Sequence, residues 1–455
     1  MPSPHPTTTT TTPTCSSEGA SSADPPSPSR VEVDLDAVVE NLSHAARAAG
    51  HGGYAVVKAD AYGHGAEAVV RRLLRLAPEV CRGFCVARPE EAERLLSRLP
   101  ELARDAGRVE LLVLGVFPAL LGEERRRELA RSRARLGWVP TVGGLDDLAA
   151  WAEVAAMDRP VPLHLELDIG MRRSGFDPAL LSRAGDILQS SPGLQLRGVF
   201  GHFSESEVAG SDVTAQQRRR FAEVVAAHPW LASGVVHLDN TCGLPRDGAG
   251  PGEGCAGNLG LPPERLSFRL GGGLYGLDLR RDAGAGSAGR DGEPEWPRPA
   301  MRVTTRLAAL RPVRRGEGVG YNSTYRAAED RLIGLLPIGY ADGVPRAARG
   351  AEVLVGGRRR ALAGTVSMDL CCVDLGRLDD EGASHHVGDT VVLLGATTPE
   401  SPAPSSAPSA AVSAGEWARW SGTISYEVTC RFAQRLPRSY TSSRLPSVTA
   451  PDRSR

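Results

Sequence analysis

The hydrophobic and polar positions of this chain fall into two regimes. From Arg30 to about Asp278, short apolar runs alternate with stretches of helical periodicity. The runs Tyr54–Lys58, Phe84–Ala87, Glu110–Leu114, Trp138–Val142, Pro162–Asp168, Leu196–His202, Val235–Asp239 and Ser267–Gly271 read as strands. Between them, "AEAVVRRLLRLA", "PEEAERLLSRL" and "TAQQRRRFAEVVAA" repeat apolar residues every three or four positions, as a helix with one buried face does. Strands alternating with helices imply parallel βαβ units. Eight such units in about 250 residues predict an α/β fold, a (β/α)8 TIM barrel. Val33–Ala49 reads as a further amphipathic helix ahead of the first strand.

The texture changes after "RRDAGAGSAGRDGEPEWPRP" (Arg280–Pro299), a Gly/Pro/Arg-rich linker. Beyond it, runs such as "RVTTRLAALRPV", "RLIGLLPIGYADG" and "DTVVLLG" alternate with turn residues and lack long helical periods. They predict a second, mostly β domain. The expected division is 30–285 for the barrel and 286–440 for the β domain. Residues 1–29 are Thr/Ser/Pro-rich and hold too little apolar surface to fold. They also lack the apolar stretch of a secretory signal. The segment 397–415 and the tail 441–455 read as disordered, and Gly248–Gly260 as a surface insertion.

Charge and cysteine usage narrow the class. The 455 residues carry a net charge of −1, with arginine spread throughout, so no basic block marks a nucleic-acid partner. No apolar run approaches the roughly 18 residues a membrane span needs. The 8 cysteines show no C-x-x-C pair and include the adjacent Cys371 and Cys372, which suits a reduced, cytoplasmic protein.

Lysine usage is the sharpest compositional signal. The chain has 53 Lys plus Arg, and Lys58, in "AVVKADAYGHG", is the only lysine among them. Guanidinium stays protonated at ordinary pH, whereas an amine can lose its proton and attack a carbonyl. Barrel enzymes place their chemistry at the C-terminal ends of the strands. Lys58 stands at the end of strand one; Asp168, Arg172 and Arg173 follow strand five; His202 ends strand six. Asn240 and Thr241 follow strand seven, and Arg269 with Gly271–Gly273 belongs to strand eight. Loops after strands seven and eight commonly bind phosphate, and consecutive glycines let backbone N–H groups approach one. A phosphate-bearing aldehyde joined to lysine fits that set, which points to pyridoxal 5'-phosphate. No His/Cys spacing suggests a metal site.

With these residues the chain resembles the alanine racemase family over about Arg30–Tyr440. The stretch "AVVKADAYGHG" is similar to that family's cofactor-lysine signature. "DIGMRRSGF", "GVFGHF", "NT", "RLGGGLYG", "GVGYNSTY", "LPIGYADG", "SMD" and "SYEV" follow in family order. The resemblance implies a pyridoxal-phosphate barrel followed by a β domain, working as a homodimer with shared sites. It implies that Lys58 holds the cofactor and acts as base on one face of the substrate, with Tyr321 of the partner subunit as base on the other. By the same resemblance, Arg269 faces the pyridine nitrogen, and His202 stacks on the ring and helps hold Arg269. Tyr62, Thr241, Gly271, Gly272 and Tyr426 bind the phosphate. Arg173 contacts the cofactor's phenolic oxygen and the substrate carboxylate, Met368 holds that carboxylate through its N–H, and Tyr340 and Asp369 line the mouth. The implied reaction interconverts L- and D-alanine and supplies D-alanine for peptidoglycan.

Two positions depart from the family pattern. Glu166 stands where the family often has a carbamylated lysine, and its carboxylate is expected to substitute electrostatically and help position Arg173. Arg172 replaces a frequent glycine, which would narrow the pocket or add a salt bridge. Two other readings stay open from the residues: a racemase of serine or a basic amino acid on the same scaffold, and a non-catalytic carrier of the cofactor.

Overall fold

The structure, a computed structural model, describes residues 27–104, 109–155, 160–208, 211–245, 259–277, 279–282, 296–378, 385–397, 411–432 and 434–442. Most of the expected N-terminal extension, the Gly248–Gly260 insertion, the linker, the 397–415 segment and the tail lies outside them.

The apolar runs of the first half form a parallel barrel. Gly53–Val56, Cys81–Val86, Glu110–Val113, Val139–Val142, Val161–Leu167, Leu194–Gly201 and Val235–His237 pair side by side in that order. The eighth place is shared by Leu266–Ser267, paired with strand seven, and Arg269–Leu270, paired with strand one. Phe268 is the hand-over between them: its carbonyl accepts the Tyr54 N–H at 2.7 Å, and the Arg269 N–H donates to the Asp239 carbonyl at 2.9 Å. The ring thus closes around a core that includes Tyr54, Phe84 and Phe268. Strand one and the Val139–Val142 strand are buried at every position, as strands with a packed interior and a helical outer layer must be.

The helix ahead of strand one is Leu35–Ala49. It starts two residues later than the periodicity implies because Asp34 caps it, accepting from the N–H groups of Asp36 and Ala37 at 2.9 and 3.1 Å. Gly50, at φ 74°, ends it in a left-handed conformation. Residues Arg30–Asp34 form a strand that joins the sheet of the second half, not the barrel. It pairs antiparallel with Met301–Arg306 and parallel with Arg438–Thr441, and Glu32 meets Arg302 at 2.5 Å.

The second half is mainly β. Met301–Arg306, Glu352–Val355, Arg358–Ala361 and Thr390–Ala396 belong to the sheet that takes in Arg30–Asp34. Ala309–Val313, Arg331–Leu336 and Cys371–Arg377 make a separate three-stranded sheet. Two short helices that the periodicity leaves unassigned, Ala414–Ser421 and Ser425–Arg431, return the chain to the barrel mouth. The Thr429 carbonyl would lie 2.3 Å from a Cβ at Gly63, so the glycine lets the second helix dock against the Lys58 loop.

Candidate active site

The lysine loop is held in an unusual backbone. Strand one ends at Val56, not at Lys58 as the pattern suggests, and Lys58 opens a turn in which Ala59, Asp60, Ala61 and Tyr62 all have φ between 53 and 56°. A left-handed turn of L-residues costs about 1–2 kcal/mol per residue, so the surroundings must impose it. Glu91 accepts the Ala59 N–H at 2.7 Å, and Asp60 accepts the Ala66 N–H at 2.8 Å. The turn places Lys58 and Tyr62 on one cavity.

That cavity opens at the C-terminal mouth of the barrel with a volume of about 820 Å³. Lys58, Tyr62, Glu166, Arg173, His202, Thr241, Arg269, Gly271, Gly272 and Tyr426 all line it. Six segments far apart in sequence therefore converge on one space. Burial, and then the Arg173 charge, push the Lys58 amine below its ordinary pKa. Burial followed by the charges of Arg269, Arg173 and Lys58 pushes His202 down to about 3, so its imidazole is neutral at ordinary pH.

Arg269 is held from several sides. Its Nη1 donates to the His237 carbonyl at 2.7 Å and reaches His237 Nδ1 at 2.9 Å. Its Nη2 donates to the Gly201 carbonyl at 2.6 Å and lies 3.3 Å from His202 Nδ1. The guanidinium also stacks over the Phe200 ring, 4.7 Å from its centroid. The terminal nitrogens are thus committed to the protein, which leaves Nε–H as the donor for a guest.

The glycine run is a cradle with no room for side chains. A Cβ at Gly271 would lie 2.9 Å from the Tyr62 hydroxyl, one at Gly272 2.2 Å from the Tyr426 ring, and one at Gly273 2.7 Å from Thr241 Cγ2. Thr241 Oγ1 accepts the Gly273 N–H at 3.1 Å, fixing the run to the strand-seven loop. Hydroxyls of Tyr62, Thr241 and Tyr426 and glycine backbone thus meet at one end of the cavity, a donor set suited to phosphate. Lys58 is the amine within the same space, and Arg269 Nε the donor. These groups fit pyridoxal phosphate.

The two departures resolve differently. Arg172, at φ 59°, occupies a conformation that glycine adopts more readily. Asp168 holds it, accepting its N–H at 3.1 Å and its guanidinium at 3.2 Å, so Arg172 adds a salt bridge and does not line the cavity. Glu166 does line it and is buried. Burial raises its pKa, opposed by its contact with Ser174 and by the charges of Arg269 and Arg173.

Four expected residues stand apart. Tyr321, Tyr340, Met368 and Asp369 do not line the cavity. They lie on neighbouring loops of the second half: Tyr340 N–H donates to the Ser367 carbonyl at 3.0 Å, and Thr324 meets Thr365 at 3.0 Å. Tyr321 is 65 % exposed and Met368 54 %, while Asp369 pairs with Arg435 at 2.7 Å. Sequence reasoning overlooked His237 and His164, whose only signal is a histidine at an inward position of an apolar strand.

Known proteins place this architecture. Residues 33–250 match the family description "Alanine racemase, N-terminal domain" and residues 300–440 match "Alanine racemase, C-terminal domain". The biosynthetic alanine racemase of Pseudomonas aeruginosa is 35 % identical over 415 residues, 90 % of this chain and 98 % of that one. The crystal structure of alanine racemase from E. faecalis superposes with a TM-score of 0.72 at 29 % identity, covering 91 % of this chain and 98 % of that one. The Bartonella henselae enzyme, solved with covalently bound pyridoxal phosphate, shares the fold at 23 % identity and a TM-score of 0.70, covering 91 % of this chain and 100 % of that one.

Proposed function

Because this chain belongs to the alanine racemase family, enzymes of the isomerase class, we propose that it interconverts L- and D-alanine with pyridoxal 5'-phosphate held by Lys58. The observation that carries the reading is that the only lysine of the chain lines the same cavity as Arg269 and the glycine cradle. When bound, the cofactor supplies an electron sink that acidifies the substrate Cα–H.

The protein's own groups do the rest. Tyr62, Thr241, Tyr426 and the Gly271–Gly272 backbone bind phosphate. Arg269 would face the ring nitrogen with its Nε–H and, being a cation that keeps its own proton, would not protonate it. His202, neutral, would pack on the ring. Arg173 binds the substrate carboxylate, positioned by Glu166. Lys58 Nζ holds or gives the Cα proton on one face, and the partner subunit's Tyr321 Oη does so on the other; two bases on opposite faces suffice for racemisation. The exposure of Tyr321 and Met368 away from their own chain's cavity supports a homodimer in which each subunit completes its partner's site, with Met368 N–H on the carboxylate and Tyr340 and Asp369 at the mouth. The proposed setting is the cytoplasm, with D-alanine going to peptidoglycan; among the described residues no helix is long and apolar enough to cross a membrane.

The test is an absorbance spectrum before and after borohydride, with racemisation assays on L-alanine, L-serine and L-lysine. Cofactor fixed by reduction at Lys58 together with fastest turnover of alanine supports the reading. Fixed cofactor without racemisation identifies a carrier, and faster turnover of another amino acid changes the substrate.

A further inference from the structure

A chain of buried polar side chains leads away from the cavity through the barrel interior. Arg269 Nη1 lies 2.9 Å from His237 Nδ1. His237 Nε2 lies 2.8 Å from His164 Nδ1. His164 Nε2, which has no closer partner, faces Glu110 Oε2 at 3.4 Å. Both imidazoles are wholly buried, and Glu110 begins strand three of the barrel. The space is reserved for this chain: a Cβ at Gly198 would lie 2.5 Å from the His164 ring. Glu110 is fastened in turn, since the Tyr54 hydroxyl donates to Oε2 at 2.7 Å and Arg197 Nε lies 3.6 Å from Oε1.

The order of donors follows from the ends. Arg269 can only donate, so His237 Nδ1 must be a lone pair. Its Nε2 then carries the proton and donates to His164 Nδ1, which must also be a lone pair. The His164 proton is therefore on Nε2, the nitrogen 3.4 Å from Glu110 Oε2. An ionised carboxylate can only accept, so it agrees with the whole sequence. The opposite arrangement would set an N–H of His237 against an N–H of Arg269. Burial opposes ionisation of Glu110, yet its contacts with His164, Tyr54 and Arg197 hold its carboxyl down at about 2. Burial, followed by the Arg269 charge, keeps His237 well below its ordinary pKa and thus neutral.

We propose that Glu110 is a positioning residue: by accepting at the far end of the chain it fixes the tautomers of His164 and His237, and so holds Arg269 with its Nε directed at the ring nitrogen. This rests on the pyridoxal-phosphate reading above. The effect is one of alignment and polarisation, in which each bond strengthens the next, as carboxylates do for histidines that hold metals.

The experiment compares holoenzyme with Glu110→Leu, which removes the acceptor, and Glu110→Gln, which keeps a neutral one. Tyr54→Phe keeps the carboxylate but removes the hydroxyl that fastens it. Nitrogen-15 NMR of histidine-labelled protein reads the tautomers, and absorbance reads the bound cofactor. In the unaltered enzyme both His164 and His237 should carry the proton on Nε2. Glu110→Leu should populate the other tautomer, shift the cofactor band and lower kcat about tenfold with little change in KM, as loss of one aligned hydrogen bond would. Glu110→Gln and Tyr54→Phe should both fall between, with Tyr54→Phe the closer to the unaltered enzyme. A His237 proton on Nδ1 in the unaltered enzyme overturns the proposal even if neither variant folds. So do Glu110 variants that change only thermal stability. Unaltered protein that neither binds the cofactor nor racemises alanine defeats the earlier reading instead.

Discussion

Gly272 and Tyr426 stand so close that a Cβ on the former would lie 2.2 Å from the ring of the latter. One comes from the end of the barrel and the other from the helix Ser425–Arg431, so the proposed phosphate cradle is a joint between the two halves of the chain. Gly272→Ala must push the ring out of the cradle. We expect cofactor affinity to fall at least about tenfold, the scale of one lost hydrogen bond to a charged group. Titration of cofactor-stripped protein with pyridoxal phosphate measures this, and unchanged affinity would separate the cradle from the cofactor.

Lys58 can capture an aldehyde only as a neutral amine. Burial and Arg173 lower its pKa from the ordinary 10.5. The rate of cofactor capture by stripped protein should therefore decline as pH falls, with its inflection below the ordinary lysine value. An inflection at that value would mean that the loop exposes Lys58 more than the folded geometry allows.

Tyr321 is 65 % exposed and off its own cavity, so it should act in trans. Lys58→Ala and Tyr321→Phe proteins should each be nearly inactive. Mixed and allowed to exchange subunits, they should recover roughly a quarter of full activity, because half of random dimers hold one intact site of two. No recovery in verified mixed dimers would place Tyr321 outside the chemistry.

Glu166 shares the cavity with Arg173, and its carboxylate is proposed to orient that guanidinium. Glu166→Gln keeps the shape and removes the charge. KM for alanine should rise several-fold, by an amount typical of a partly buried charge contact, about 1 kcal/mol. Unchanged KM and kcat would leave Glu166 a structural carboxylate only.

Acid should weaken the fold before it protonates most carboxylates. Burial lowers His64 to about 4 and His202 to about 3, from 6.5, and holds His237 lower than its ordinary value as well. Below pH 6.5 the unfolded chain binds protons at these positions and the folded one does not. Stability is therefore full above that pH and falls as pH drops toward the folded values, by up to about 1.4 kcal/mol per pH unit for each histidine. Thermal unfolding at pH 7.5 and 5.5 should differ by several degrees, and His202→Asn should flatten the difference.

The amino-acid sequence by itself determined the eight-strand period, the turn to a mostly β second half and the ends of strands where polar residues gather. It also singled out Lys58, because composition isolates it and chemistry explains it. These are local signals: periodicity reports which face is buried, and a strand end is where a barrel offers a side chain to a guest. What the tertiary structure decided is everything that depends on distant residues meeting. Residues 30–34 fall within the range expected for the barrel, yet their backbone hydrogen bonds go to strands at 301–306 and 438–441. Arg172 could have filled the pocket, but Asp168 turns it aside. Glu110, His164 and His237 look like unrelated polar residues on three apolar strands, and only closure of the ring brings them into line with Arg269. Sequence records what each position prefers to bury, whereas hydrogen-bond partners are set by packing across the barrel, where neighbours in space are far apart along the chain.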